Sequence, residues 1–115
     1  FASDDYIDCD EATLINNGRF TFQYFSYHFK CADNNNLNSY RIDYDMDGYH
    51  LNPDPNLKHY RHRIDWENLS IDIIRFNCLL AIHLALLYIK NGIYPADQKA
   101  GIYEKTLEGI RRKLK

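Results

Sequence analysis

A chain of 115 residues that is 45% hydrophobic and 15% aromatic can bury one core without disulfide or metal staples, which excludes a disordered segment and argues for a single domain over residues 1–115. Its formal net charge of −2 names no polyionic partner by itself. The distribution is less even: residues 1–56 carry ten acids and three bases, and residues 57–115 six acids and eleven bases, which fits a basic face for nucleic acid or an acidic partner, or two halves that neutralise each other on folding.

Residues 1–18 are acidic with short apolar patches, and a strand is expected at 6–10 or 12–15, followed by an Asn16-Asn17-Gly18 turn. The next run, RFTFQYFSYHFK, has strand composition. Alternation places Phe20, Phe22 and Tyr24 on one face and Phe25, Tyr27 and Phe29 on the other, predicting a central strand covered by helices on at least one side. His28 within it reads as a packed, hydrogen-bonded histidine. A polar loop, CADNNNLNS, leads to residues 39–63, which hold four of the 16 acids, three of the five histidines and two of the three prolines. Here Tyr40, Ile42, Tyr44 and Met46 alternate with Arg41, Asp43 and Asp45, the pattern of a half-buried strand with a charged outer face. Asp47-Gly48 is a type I′ turn candidate, residues 49–52 return as the next strand, and Pro53 and Pro55 stop it. A further short strand is expected around 59–64, with Trp66 anchoring the segment to the core.

The pattern then predicts a helix over 70–92, with Ser70 as N-cap, Asp72 in the first turn, Lys90 in the last and Gly92 at C′. It is apolar nearly all round from 76 to 89, so it is buried on several sides or forms an oligomer interface. Pro95 opens a last helix with Tyr103, Leu107, Ile110 and Leu114 as its apolar stripe, and Arg111, Arg112, Lys113 and Lys115 as a solvated tail that complements its C-terminus. The expected architecture is α+β: an antiparallel hairpin or meander sheet at roughly 5–65, packed by two C-terminal helices at roughly 70–91 and 95–114. Cys9, Cys31 and Cys78 include no Cys-x-x-Cys pair and are odd in number, so a disulfide framework is not expected and a reducing cytoplasm fits. The chain opens at Phe1, which reads as an ordered or processed fragment with N-terminal residues missing and no signal peptide. The longest apolar run, 78–89, is too short for a membrane span.

Three constellations in this chain suit chemistry. Asp43-x-Asp45-x-Asp47-Gly48 has the spacing of an EF-hand opening, with Asp54 at loop position 12. The preceding strand pattern, the missing Glu at position 12 and His50 at position 8 favour instead a hairpin with acids on one face, and no metal or cofactor is expected. His50, His59 and His62 form the second set, suited to general acid–base work with Arg61 or Arg63 holding a phosphate, as metal-free ribonucleases operate. Tyr44, Tyr49 and Tyr60, interleaved with bases, suit single-stranded RNA.

In this stretch the sequence resembles the TumE-type toxins, small bacterial and archaeal proteins of toxin–antitoxin systems. That pattern runs from a Tyr/Arg-rich strand with an Arg-Tyr-Asp-like end, through a His-Pro-rich loop, to a closing His-His-x-His. The corresponding residues are Tyr40-Arg41-Ile42-Asp43-Tyr44-Asp45, then His50 with Pro53 and Pro55, then His59-Tyr60-Arg61-His62. The family's paired histidines are single here, at His50 and His59. The resemblance implies a toxin acting on RNA or translation, neutralised by a helix-turn-helix antitoxin. Position and chemistry make His50, His59 and His62 the catalytic candidates, with Arg41, Tyr60, Arg61 and Arg63 as substrate or phosphate contacts. The alternatives are a non-enzymatic module that dimerises or binds a partner through 78–89, and a small metal-binding domain using Asp43, Asp45 and Asp47 or the histidines, with Asp54 or Asp65 able to complete a histidine site.

Overall fold

The computed structural model describes residues 4–32, 37–54 and 62–114. Five strands pair consecutively in an antiparallel meander: β1 (Tyr6–Asn16), β2 (Arg19–Lys30), β3 (Tyr40–Asp45), β4 (Gly48–Pro53) and β5 (Ile64–Asp65). Two helices follow, α1 (Cys78–Asn91) and α2 (Glu104–Lys113), the second entered through a 3-10 turn at Gln98–Tyr103. This is the α+β arrangement expected from strands first and helices last. None of the described helices is long and apolar enough to cross a membrane.

The first hairpin follows from Asn17-Gly18. Both residues have positive φ, 53° and 76°, as a type I′ turn requires, and Asn16 pairs with Arg19 across it. Beyond the turn, Phe25, Tyr27 and Phe29 are buried on the helix side of β2, in register with Tyr44, Ile42 and Tyr40 of β3. The ladder continues through Leu51 of β4 to Ile64 of β5. Tyr88 and Tyr94 close this core from above, their rings meeting Tyr40 edge-on or tilted at centroid distances of 5.9 and 6.1 Å. Each large side chain so buried contributes about 1.5–3 kcal/mol. Their hydroxyls fasten the loops: Tyr88 accepts from the Asn38 amide, and Tyr94 donates to the Ser39 carbonyl and accepts from the Asp54 amide. The opposite face of β2 carries Ser26, His28 and Lys30 after Tyr24, so the second apolar face expected of this strand does not extend along it.

Several local expectations are corrected. The β3–β4 turn lies at Met46-Asp47, one residue earlier than the anticipated Asp47-Gly48, with Asp45 paired to Gly48. Neither turn residue has positive φ, whereas Gly48 sits at 95°. The Asp45 side chain takes the Asp47 amide at 2.8 Å, which fixes an Asx turn and leaves the left-handed position to glycine. Met46, expected in the strand, is therefore 91% exposed at the turn. Trp66 does not anchor the core; it opens a 3-10 turn with 42% of its surface exposed, and Ile71 and Ile73 are buried instead. Helix α1 begins at Cys78, not Ser70. Asn77 is the N-cap, accepting the Leu80 amide at 2.9 Å, while Asp72 turns onto the Ile74 amide and holds the β-branched run before it out of the helix. Its C-terminal end matches the sequence signal, with Gly92 at φ 75° and its amide bonded to the Tyr88 carbonyl. The last helix begins at Glu104, not Pro95, after the 3-10 turn; Tyr103 just before it and Leu107 within it are buried as expected, but Leu114 is exposed and Arg111 is buried.

Candidate functional site

On the sheet face away from the helices, the strand registers line up two polar rows. One runs Asp10, Ser26, Asp43, His50, Asp65 across all five strands, and beside it runs Asp8, His28, Arg41, Asn52. These rows follow from period-two alternation: every residue between the core positions faces outward. An outward face of this kind is normally solvated, yet Asp43 and His50 retain only 5% and 3% exposure.

These two residues form the centre of the site. The turn at Met46-Asp47 sets Asp43 opposite His50 and brings Asp45 alongside. His50 Nε2 lies 3.6 Å from Asp43 Oδ2 and 3.5 Å from Asp45 Oδ2. Asp43 Oδ2 also accepts from Arg41 Nε at 2.8 Å and from Asn52 Nδ2 at 2.6 Å. The other oxygen, Asp43 Oδ1, is buried without a hydrogen-bond partner among the described residues, and so is His50 Nδ1. An unmet buried polar atom costs about 1–3 kcal/mol, more when charged, so each is a place where a ligand would be stabilised.

Two hollows flank Arg41. One, of 540 Å³, is lined by Asp10, Tyr24, Ser26, Arg41, Asp43 and Asp45 among others, so the carboxylate pair opens into it. The second, of 360 Å³, also reaches Arg41 and is lined besides by His28, Lys30, Asn52 and neighbouring loop residues. Burial, then the positive charges of Lys30 and Arg41, hold the His28 imidazole below its ordinary pKa, against the opposing pull of Asp8 and Asp43. The expectation of a hydrogen-bonded His28 is not met among the described residues.

Of the residues singled out from sequence, the structure brings together His50, Asp43, Asp45 and Arg41. Asp47 stands apart, bound to Arg63 at 3.0 Å with both side chains well exposed. Arg63 also approaches Asp65 at 3.8 Å, so its guanidinium faces carboxylates. His62 is exposed, and His59, Tyr60 and Arg61 lie outside the described residues. The group with metal-ligand geometry is therefore Asp43, Asp45 and His50, whose ligand atoms all fall within 4.8 Å of one another, rather than three aspartates in a calcium loop. Asn52, His28 and Lys30 were not singled out as site residues. The second hairpin sets Arg41 opposite Asn52, but the pairing of His28 with Arg41 depends on the β2–β3 register across a polar loop, which no local sequence signal fixes. Comparison with family models, with curated proteins and with solved structures finds no match to this chain.

Proposed function

We propose that this protein binds a divalent metal ion through Asp43, Asp45 and His50. The observation that supports this reading is the packing of two carboxylates and one imidazole within 4.8 Å while Asp43 Oδ1 is buried and unpartnered. Two metal–ligand bonds of about 2.1 Å at the tetrahedral angle set their ligand atoms about 3.4 Å apart. His50 Nε2 stands close to that spacing from Asp45 Oδ2, at 3.5 Å, and from Asp43 Oδ2, at 3.6 Å, the Asp43 oxygen that also accepts from Arg41 and Asn52. Two carboxylates and one nitrogen, with no thiolate, suit zinc, manganese or iron(II) better than calcium, which takes six to eight oxygens. Arg41 and Asn52 would act as outer supports, fixing the Asp43 carboxylate as second partners of metal ligands do. Three protein ligands would leave the ion able to take water or substrate as well, as a catalytic rather than a purely structural site does, and Asp43 and Asp45 line the 540 Å³ hollow. Calorimetric titration of the chelator-treated protein with zinc and manganese tests the reading, with one ion per chain as the expected stoichiometry.

A second reading is favoured by the position of His50 between two carboxylates with Arg41 on the same face. It is the acid–base, toxin-like action on RNA that the resemblance to TumE-type toxins implies, with His50 moving the proton and Arg41 steadying the phosphate. Cleavage of RNA that persists in excess chelator and is lost in His50→Gln would favour this reading over the metal site. Absence of chelator-resistant cleavage removes it.

A further inference from the structure

Beside the metal cluster, and sharing with it Arg41 and Asn52 that support Asp43, lies a group of donors that binds no proposed metal. His28 and Arg41 are cross-strand neighbours, Asn52 follows Arg41 in the same row, and Lys30 lies two residues along β2 on the same face. All four line the 360 Å³ hollow. Arg41 and Asn52 each give one donor to Asp43, and the other N–H groups of these four side chains have no hydrogen-bond partner among the described residues. Arg41 spends only Nε, on Asp43, and its two terminal nitrogens have no hydrogen-bond partner among the described residues. Lys30 forms no ion pair among the described residues; its ammonium stands 5.7 Å from the Tyr6 ring centroid. His28 makes no hydrogen bond among them either. The charges of Lys30 and Arg41 both act on His28, opposed by Asp8 and Asp43, so the three basic groups share one neighbourhood of the sheet face. Three cation-capable groups set together repel one another, and in a hollow of this size an anion relieves that repulsion.

We propose that this hollow is a binding site for the phosphate group of a small phosphorylated metabolite. A phosphate offers three oxygens on one tetrahedral face, which matches donors arriving from an imidazole, an ammonium, a guanidinium and an amide better than the two coplanar oxygens of a carboxylate. Asp54 lines the same hollow, so the site favours one compact anion over a chain of them. A nucleic-acid backbone would have to continue across Asp8, Asp10, Asp43 and Asp45 on the same sheet face, against like charge. The volume lies at the lower end of the usual small-ligand range, about 300–1,000 Å³. The site goes beyond the metal reading and does not require it, since none of its donors is a proposed metal ligand.

The test is titration of the chelator-treated protein with inorganic phosphate at low ionic strength, followed by calorimetry and by the chemical shifts of the His28 ring protons. Binding in the millimolar range or tighter is expected, with His28 among the resonances that move. Lys30→Gln and, separately, His28→Asn should each weaken phosphate binding about tenfold, the loss of one charge-assisted hydrogen bond. Neither should change zinc affinity. No phosphate binding up to about 10 mM, or binding that both folded variants retain unchanged, would overturn the proposal. A short single-stranded RNA that binds more tightly than inorganic phosphate and is lost in Lys30→Gln would also overturn it, in favour of a polyanion track. Phosphate binding without any zinc or manganese binding would support this site while removing the metal reading.

Discussion

Asp43 is the residue on which the open face turns. Its burial at 5% exposure on the sheet surface away from the helices is tolerable because one oxygen accepts from Arg41 and Asn52, while the other waits for a partner. Asp47 is its counterpart in sequence but not in structure, since it is exposed and tied to Arg63. Asp47→Asn should therefore leave metal affinity unchanged in a calorimetric titration, and a large loss would restore the three-aspartate loop, the less favoured reading of the spacing. Arg111 makes the same point away from the site. Its charge placed it in a solvated tail by sequence, yet it is 8% exposed, bonded to Glu104 at 2.8 Å, to Glu108 at 3.2 Å and to the Asp72 carbonyl, with its guanidinium 6.0 Å from the Phe76 ring. Replacing it by Met strands Glu104 and the Asp72 carbonyl, and should lower stability by about 2–4 kcal/mol in urea denaturation. Helical periodicity ranks residue types by hydrophobicity, so it cannot anticipate an arginine buried by three acceptors from two segments.

At the scale of elements, what was legible is what short-range chemistry dictates. Asn17-Gly18 supplied two positive-φ residues, so the first hairpin could be placed from the dipeptide alone. Gly92 likewise ended α1 where it was expected. The second hairpin was misplaced by one residue because Asp-Gly suits a type I′ turn and also a type I turn followed by a left-handed glycine. That shift matters for function. An Asp47-Gly48 loop would have set His50 opposite Asp45, whereas the actual turn sets it opposite Asp43, the buried carboxylate. The cysteines tell a similar story. Cys9 on β1 and Cys78 at the start of α1, far apart in sequence, lie near enough for each thiol to act on the other. Burial, then the Cys78 partner and nearby acids, pushes the Cys9 thiol up to about 12. An unfolded cysteine ionises near about 8.5, so the unfolded chain loses its proton first and stability should fall as pH rises from that value towards the folded one. Cys9→Ala should flatten this alkaline decline in urea denaturation between pH 8 and 10, and an unchanged slope would show that Cys9 is not its source.

For the whole molecule, the division of labour runs between the two faces of one sheet. The helix side holds the aromatic core, with Tyr27, Phe29, Ile42, Leu51 and Tyr88 all essentially inaccessible. The other side gathers acids, histidines and Arg41 in two cross-strand rows. The surplus of acids in residues 1–56 is thus concentrated on β1, β3 and their turns, while many of the bases in 57–115 sit on the helices. Sequence alternation anticipated an acidic outer face on β3, but burial of Asp43 and His50 depends on neighbours from other strands, which no local pattern records. The central claim is that this buried pair, with Asp45, holds a metal. Its most direct measurement is calorimetric titration of chelator-treated protein with zinc and manganese, run on the unaltered chain, Asp43→Asn and His50→Gln. One ion per chain in the unaltered protein is expected, stabilising it against heat by about 2.7 kcal/mol at a hundredfold excess over Kd, with binding weakened at least about tenfold in both variants. No binding in the unaltered chain, or binding that both variants keep, would contradict the claim.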